Sequence, residues 1–366
     1  MSAADPEVVV LGAGAAGVAA ACAAHEAGAR TALVGAHPGA TGLGSGVLLG
    51  GTAEALAVAR EPAFRAGGRY VTVAGWLVTD ALGALSSLLD VSRCDGPVGV
   101  LDLDTHPSWS AALVAQSLGG VVVPASPETP SGETFCEVAS RLDTLGLAEG
   151  VAASLRARCR GLAGLLFPPV LGLHRLDVAA TLSRVLGLPV GEAAGGAGDP
   201  PGVRVERALQ ARVPAAVLRR EGRATVHPGR RPEVRVGTEV LRPRAVVLAT
   251  GGLTGGGLVF GEQLQEALLG APLWVGARAR VPVSSGASRG ADPSVWFAGD
   301  PPVIATAGLR VDGSGRVLDG DGTRGLHPWL FAAGEVLSSV RGATLGGALV
   351  EGLRAGAAAA RVAREG

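Results

Sequence analysis

The chain has 366 residues, of which 48% are hydrophobic, 32 are basic and 32 are acidic. This length and apolar content allow two domains, or one large domain with an insertion, and the balanced charge disfavours a nucleic-acid or anionic-lipid partner. The four cysteines, Cys22, Cys94, Cys136 and Cys159, show no CxxC spacing, so the sequence predicts no metal or iron-sulfur centre.

The chain begins with a predicted strand, glycine turn and helix. Val8–Leu11 is an apolar run typical of a buried parallel strand, and the alanine-rich Ala15–Glu26 favours a helix. The turn between them matches GxGxxG: Gly12 permits a sharp turn, Gly14 lets a pyrophosphate approach the backbone, and Gly17 lets the helix lie close to the sheet. Because the chain has 58 glycines, the motif could occur by chance. It indicates a binding turn only because a predicted strand precedes it and a predicted helix follows it. The sequence predicts a nucleotide phosphate at the helix N-terminus, with a glycine-rich packing turn as the alternative.

A second strand is predicted at 30–34, and it ends at Gly35. Dinucleotide-binding folds usually place an acidic residue near this point to bind the adenosine ribose. This chain has no acidic residue at that point, which leaves two alternatives: a backbone contact to the ribose, or a ligand without adenosine. The glycine-rich segment 39–51, which contains Thr41, Ser45 and Gly46, is either a cofactor loop or a surface connection.

The middle of the chain has a different character. It predicts a strand at 96–103, a helix at 109–118, a strand at 120–124, helical stretches at 133–160 and 177–186, a loop at 191–202 and a helix at 204–212. The uncharged stretches 8–24 and 105–127 are broken by glycine or proline, which predicts a cytoplasmic chain without a membrane span.

The C-terminal part repeats the pattern of the start. Strands are predicted at 245–248, leading into Ala249-Thr250-Gly251-Gly252, and at 330–333, leading into Gly334-Glu335. A helix follows at about 346–361. One parallel sheet built from both ends of the chain, with the middle inserted, is the simplest assembly. This assembly predicts a nucleotide-binding domain, with a flavin as the candidate ligand, at 1–72 and 245–366. It also predicts an inserted middle domain, which binds substrate or a partner, at 73–244.

Three motifs occur in the order Gly12–Gly17, Ala249–Gly252, and Phe331–Glu335 followed by Gly346-Gly347-Ala348. This order resembles the two-ended flavoprotein fold of FAD-dependent reductases and dehydrogenases. Ser45-Gly46-Val47-Leu48, Val247–Gly252 with Gly256–Val259, and Leu330–Gly334 are similar to the B subunit of the anaerobic, quinone-linked glycerol-3-phosphate dehydrogenase. The resemblance covers the whole chain in order and is strongest at the two ends.

The resemblance implies an α/β, Rossmann-like, two-ended flavin-binding fold with an inserted α/β middle domain, and FMN or FAD as the cofactor. Glu335 would accept hydrogen bonds from ribityl hydroxyls, and the start of the last helix would stabilise negative charge on the flavin ring. The alternatives are a solvated turn acid and an ordinary helix start. The predicted cofactor-binding residues are Gly12, Gly14, Ala15, Ala16, Gly17, Ser45, Gly46, Thr250, Gly251, Gly252, Gly334, Glu335, Gly346, Gly347 and Ala348.

The resemblance also implies partners. A catalytic flavoprotein subunit would oxidise glycerol 3-phosphate to dihydroxyacetone phosphate, and an iron-sulfur, membrane-anchoring subunit would deliver electrons to quinone. The chain would then lie in the cytoplasm, held peripherally at the inner membrane through these partners. Two alternatives stay open: a stand-alone FAD-dependent reductase or dehydrogenase of the fumarate reductase type, and a scaffold protein that keeps the fold without a cofactor.

No catalytic base is evident from spacing. Arg204, after a Pro-Pro-Gly turn, is a weak candidate for binding a substrate oxyanion, because a guanidinium fork matches such groups. Arg207 and Arg212 are predicted as surface charge. His174 lies close to a proline-rich segment, and a structural role is the favoured interpretation.

Overall fold

A computed structural model describes residues 5–35, 46–48, 64–79, 83–103, 108–130, 132, 134–196, 198–260, 264–275, 281–282, 306–338 and 344–365. These residues form two compact units. The terminal unit contains residues 5–35 and the described residues from 209 onward. The middle unit contains residues 46–48 and the described residues of 64–208.

The strands in chain order are β1 (Val8–Leu11), β2 (Thr31–Val34), β3 (Val47–Leu48), β4 (Phe64–Ala66), β5 (Tyr70–Val71), β6 (Leu77–Val78), β7 (Gly83–Leu85), β8 (Val98–Asp102), β9 (Val121–Pro124), β10 (Gly164–Phe167), β11 (Val190–Glu192), β12 (Leu218–Arg220), β13 (Ala224–His227), β14 (Glu233–Val236), β15 (Glu239–Leu241), β16 (Ala245–Leu248), β17 (Leu258–Phe260), β18 (Leu264–Glu266), β19 (Leu273–Val275), β20 (Val281–Pro282), β21 (Gly308–Leu309) and β22 (Leu330–Ala332). The α-helices are α1 (Ala15–Glu26), α2 (Ala111–Leu118), α3 (Phe135–Leu142), α4 (Leu147–Leu155), α5 (Val178–Leu186), α6 (Pro200–Gln210) and α7 (Leu345–Glu365). None of the helices in the described ranges is both long enough and apolar enough to cross a bilayer.

A five-stranded parallel sheet forms the centre of the terminal unit, with the strand order β12-β2-β1-β16-β22. In this sheet Val8 pairs with both Thr31 and Ala245, and Val246 pairs with Leu330. Every residue of β1, β2, β16 and β22 is buried. Such continuous burial is typical of parallel strands that are covered on both faces.

Helices α1 and α7 pack together on one face of this sheet. Glycine makes their close approach possible: a Cβ on Gly352 would lie 2.2 Å from the Ala16 carbonyl oxygen, and one on Gly356 would lie 2.1 Å from that of Ala20. On the other face, the Val9 side chain belongs to a buried hydrophobic cluster that also contains side chains of the antiparallel sheet β13-β14-β15. The parallel sheet is therefore the middle of three layers.

The middle unit has its own parallel sheet, with the order β11-β10-β8-β9. Helix α2 connects β8 to β9, which pair in parallel from Gly99 with Val121 to Asp102 with Pro124. A buried cluster that includes Val100, Leu166 and Phe167 joins this sheet to helices α2 to α5. The βαβ unit predicted for residues 96–124 is thus present, and the predicted α/β class is confirmed.

Several element boundaries differ from the sequence-based expectation. The helical stretch predicted at 133–160 consists of α3 and α4, because Gly146 between them adopts φ +83°, a left-handed conformation that does not continue a right-handed helix. The predicted loop at 191–202 contains the end of β11 and the start of α6. The last helix begins at Leu345 and ends at Glu365.

The structure also groups three segments differently from the predicted domain boundaries. Residues 209–244, which the sequence assigns to the inserted domain, belong to the terminal unit. The physical reason is that β12 pairs in parallel with β2, while β13 to β15 cover the sheet that β12 extends. Residues 46–48 and 64–72, which the sequence assigns to the first domain, belong to the middle unit. The binding role predicted for each domain stays a prediction.

Candidate functional site

The candidate site lies at the carboxyl edge of the parallel sheet in the terminal unit. Strands β1, β16 and β22 are neighbours in this sheet and run in the same direction. The segments that follow them therefore emerge at one edge: Gly12–Gly17, Ala249–Gly252 and Ala333–Glu335. The chain passes from β1 to β2 on one side and from β16 to β22 on the other, so the strand order reverses between β1 and β16. Ligands of open α/β sheets bind at such a reversal.

The glycine turn after β1 is packed tightly against the end of β16. Gly12 has φ +114°, and a Cβ there would lie 2.0 Å from the Ala249 carbonyl oxygen. A Cβ on Gly17 would lie 1.7 Å from the Gly12 carbonyl oxygen. Any larger residue at either position would force the turn and α1 away from the sheet. Gly12 and Gly17 therefore set the place of the helix N-terminus, as packing elements of the site.

The N-cap position of α1 is occupied by a glycine. Gly14 therefore contributes no side-chain cap, and the first turn contains no acidic residue. Gly12, Ala13 and Gly14 are half-buried, whereas Ala15 and Ala16 are buried. The first-turn N–H groups of an α-helix carry about half a positive elementary charge. This end of the helix can stabilise an anion.

The ends of β16 and β22 contact each other beside this helix. A Cβ on Gly252 would lie 2.8 Å from Cγ of Glu335, so the two residues touch. Gly334 adopts φ +82°, and its missing Cβ leaves room for the Ala16 side chain, which would be 2.7 Å away. The structure thus brings the predicted residues Gly252, Gly334 and Glu335 next to α1.

Thr250 contributes an unusual hydroxyl to this edge. Its Oγ1 is buried, and none of the described residues hydrogen-bonds to it. A buried hydroxyl without a partner is costly, by roughly 1–3 kcal/mol, and a polar ligand atom or an ordered water would satisfy it. The neighbouring Gly251 adopts φ +77°, with Gly255 packed against it.

The start of α7 completes the site. The Thr344 hydroxyl accepts a hydrogen bond from the Gly347 N–H at 3.1 Å, and the Thr344 carbonyl accepts one from the Ala348 N–H at 2.8 Å. Gly346 and Gly347 are buried, and Ala348 is half-buried near the position that a Cβ on Gly334 would occupy. The predicted segment 346–348 is therefore part of the same edge, although Thr344 already accepts hydrogen bonds from two of its N–H groups.

The structure gives a reason for the missing ribose acid at position 35. A Cβ on Gly35 would lie 2.6 Å from the Ala13 Cβ and 3.0 Å from the Ala13 nitrogen. The glycine turn thus lies directly against the end of β2, and the Gly35 N–H donates to the Arg220 carbonyl at 3.0 Å. An acidic side chain at this position would collide with the turn.

Two predicted site residues, Ser45 and Gly46, are not among the described residues of the terminal unit. Gly46 lies in the middle unit, where a Cβ would be 3.0 Å from Pro201 Cβ and 3.1 Å from Leu85 Cδ1. Ser45 lies outside the described residues, as does most of the predicted 39–51 loop. The structure describes Gly46 as a packing glycine within its own unit.

Arg204 has a different environment from the one predicted. It is only 1% exposed, pairs with the Glu192 carboxylate, and donates to the Leu171 carbonyl at 2.7 Å. Complete burial raises the pKa of the Glu192 carboxyl, while Arg204 and the Leu171 N–H oppose that rise. Because its guanidinium is enclosed with these partners, Arg204 is a core residue that ties α6 to β11, and it is not available as an oxyanion ligand.

His174 and the four cysteines are the other reactive groups considered from the sequence. His174 and Arg207 contact each other on the surface of the middle unit. Burial raises the pKa of all four cysteine thiols, which disfavours the reactive thiolate. Across the described ranges, no group of three His, Cys, Asp or Glu side chains is arranged to hold a metal ion.

Sequence reasoning missed two residues of the site. Gln210 Nε2 donates to the Ala13 carbonyl at 2.5 Å, and Glu351 accepts a hydrogen bond from the Gly334 N–H at 3.1 Å. Gln210 is 197 positions from Ala13, and no local motif connects them. Glu351 stands one helical turn beyond the predicted site residue Gly347, so the two lie on the same face of the last helix. This spacing could have identified Glu351 as a site residue.

Comparison with known proteins gives structural matches only. No protein-family model and no curated protein matches the chain. The 3-ketosteroid-Δ4-(5α)-dehydrogenase from Rhodococcus jostii RHA1 is 16% identical, with a TM-score of 0.37 over 97% of this chain and 96% of that one. The 3-ketosteroid Δ1-dehydrogenase from Sterolibacterium denitrificans is 13% identical, with a TM-score of 0.40 over 99% and 100%. A flavocytochrome c3 fumarate reductase is 13% identical, with a TM-score of 0.37 over 100% and 79%. The α/β assignment depends on the strand order and register, to which these scores add nothing.

Proposed function

We propose that the chain is the flavin-carrying component of an oxidoreductase, and that the flavin binds at the carboxyl edge of β1, β16 and β22. The observation that carries this proposal is the convergence of Gly12–Gly17, Thr250–Gly252 and Gly334–Glu335 where the strand order reverses. A phosphate-bearing ligand is the class that this edge of an open parallel sheet accepts.

The residues present fit such a ligand. The N–H groups at the start of α1, where the N-cap residue Gly14 offers no competing side chain, would hold the phosphate, and the half-buried Glu335 carboxylate would accept hydrogen bonds from ribityl hydroxyls. The unpartnered Thr250 hydroxyl offers a further polar contact. A bound flavin would supply one- and two-electron redox chemistry. The protein's own part is to bind and orient it, and to exclude water with the packed glycine turns.

The more specific proposal is a role as the B-type flavoprotein subunit of an anaerobic glycerol-3-phosphate dehydrogenase. The order of motifs along the chain supports it. So does the absence, within the described residues, of a metal-binding cluster that would carry electrons further. The enclosure of Arg204 leaves the middle unit without its predicted substrate ligand. A catalytic subunit would then oxidise glycerol 3-phosphate, and an iron-sulfur subunit would deliver electrons to quinone at the cytoplasmic face of the membrane.

The first experiment asks whether flavin binds at the proposed edge. The purified chain should show a flavin absorption spectrum, and chromatography of the released cofactor will identify FMN or FAD. Glu335→Gln should weaken flavin binding roughly 10- to 100-fold, the effect of losing a charged hydrogen-bond acceptor. Glu221→Gln, at an exposed acid of the same unit, is the matched control. A colourless chain that takes up neither flavin would support the scaffold alternative and refute the proposal.

The second experiment tests the division of labour. The isolated chain, loaded with flavin, should turn over glycerol 3-phosphate only when a catalytic partner subunit is added. Turnover of glycerol 3-phosphate by the loaded chain alone would contradict the subunit proposal. Reduction of fumarate or dehydrogenation of a ketosteroid by the loaded chain alone would instead favour a stand-alone enzyme.

A further inference from the structure

The peptide between Ala13 and Gly14 is held from both sides in the terminal unit. On one side, Gln210 Nε2 donates to the Ala13 carbonyl oxygen at 2.5 Å. On the other, the Ala13 side chain lies so close to Gly35 that a Cβ there would be 2.6 Å away. The peptide therefore has little freedom to rotate.

The orientation of the Gln210 amide is fixed by Arg219. The Arg219 guanidinium donates to the Gln210 backbone carbonyl at 2.6 Å and to its Oε1 at 3.4 Å. A guanidinium can only donate, so it selects the oxygen end of the side-chain amide. The nitrogen end then faces the Ala13 carbonyl. Arg219 itself is placed by β12, where it pairs in register with Leu33 of β2.

The same contacts orient the N–H of Gly14. In a trans peptide the C=O and N–H groups point in opposite directions, so fixing the Ala13 carbonyl towards Gln210 points the Gly14 N–H away from Gln210. None of the described residues accepts a hydrogen bond from this N–H, and Gly14, as the N-cap residue, has no side chain that could cap α1. The Gly14 N–H is thus oriented and left available at the start of the helix.

We infer that Gln210 is a positioning residue for the phosphate of the bound ligand. It acts through the Ala13-Gly14 peptide and touches no ligand atom itself. The inference rests on the proposed flavin function. It adds a specific requirement, that the side chain at position 210 must donate a hydrogen bond.

The test compares ligands with and without a phosphate. Gln210→Glu replaces the donor by an acceptor, and Gln210→Met removes it at similar volume. Both should weaken FMN and FAD binding about tenfold, the effect of one hydrogen bond, and should leave riboflavin, which has no phosphate, within about twofold. Gln265→Glu and Gln265→Met, at an exposed glutamine of the same unit, are matched controls. Circular dichroism and the thermal midpoint will show whether each variant is folded.

The outcomes separate this inference from the proposed function. Equal weakening of riboflavin and FMN would show a merely structural role and overturn the inference, as would unchanged FMN binding. If the wild-type chain binds no flavin, the proposed function fails, and the inference is then measured with ADP, whose diphosphate would meet the same N–H. Equal ADP affinity of wild type and Gln210→Glu, or no ADP binding by either, would overturn it.

Discussion

The contact between α1 and α7 predicts a large effect from a very small substitution. Gly352 and Gly356 place the backbone of α7 directly against the carbonyl oxygens of Ala16 and Ala20. Replacing either glycine by alanine adds one methyl group where the opposing atoms are backbone. Backbone cannot move aside as a flexible side chain can, so the helices have to separate.

The structure gives the size of that separation. An ordinary Cβ contact begins at 3.4 Å, whereas the new Cβ would lie 2.2 Å from Ala16 oxygen at Gly352 and 2.1 Å from Ala20 oxygen at Gly356. Each contact is short by more than an ångström. Overpacking of this kind costs about 1–3 kcal/mol, against a gain of roughly 0.5–1 kcal/mol from replacing a helical glycine by alanine. The middle of each range leaves a net loss of between about 1 and 2 kcal/mol per substitution.

Thermal unfolding of Gly352→Ala and Gly356→Ala measures this loss. A net loss of about 1–2 kcal/mol corresponds to roughly 2–8 °C in the thermal midpoint for a unit of this size. The control is Gly150→Ala in α4, where a new Cβ would meet nothing within 4 Å. This substitution should leave the midpoint unchanged or raise it slightly. Flavin binding by the first two variants should also weaken, because α7 begins at the candidate site.

Unchanged stability of these variants would contradict the backbone contact between α1 and α7. If Gly352→Ala and Gly356→Ala match or exceed the stability of the wild type, as Gly150→Ala should, then α1 and α7 do not lie in backbone contact. A loss of stability in all three variants would point instead to a general intolerance of alanine in these helices.

Two further predictions concern buried and titratable groups. Arg204→Met should destabilise the middle unit by about 3–5 kcal/mol, because the buried Glu192 carboxylate loses its cation. Adding Glu192→Gln should recover part of this loss, as measured by urea denaturation. No recovery would mean that lost packing, and not the unpaired charge, causes the destabilisation. Burial lowers the pKa of His327, which stacks on Trp329, below its ordinary value of 6.5. The unfolded chain then binds more protons in the window between the folded pKa and 6.5, so stability is complete above that window and falls as pH falls through it. His327→Phe should reduce the difference between thermal midpoints at about pH 5.5 and about pH 7.5, and an unchanged difference would exclude His327 as its source.

The central parallel strands of the terminal unit are predictable because each one is a short, continuous run of apolar residues. Val8–Leu11 and Ala245–Leu248 are continuous apolar runs, and each leads into glycine. β12 is different: its residues Leu218–Arg220 are mostly polar and it lies at the edge of the sheet. Its place is decided by pairing with a strand far away in the chain. That non-local pairing is why the predicted boundary at residue 244 differs from the observed grouping.

The candidate site is also predictable from the sequence only where its residues belong to local motifs. Its glycines belong to turns that follow recognisable strands, so they were predictable as a group, and their binding role stays a prediction. Gln210 and Glu351 each act on a single backbone group: Gln210 donates to the Ala13 carbonyl, and Glu351 accepts from the Gly334 N–H. Such contacts depend on where two elements meet in three dimensions. No local motif specifies the Gln210 contact, and for Glu351 the one usable signal is its position one helical turn beyond Gly347.

Substitutions of the glycines cannot test what the site binds. Gly12, Gly17, Gly252 and Gly334 are each required by a protein atom that a Cβ would strike, so substituting any of them disturbs packing and binding together. Loss of flavin in such a variant would therefore say little about ligand contacts. Glu335 and Gln210 are better probes, because their polar groups can be changed at nearly constant volume. A difference between phosphate-bearing and phosphate-free ligands in these variants separates recognition of the ligand from the stability of the sheet edge.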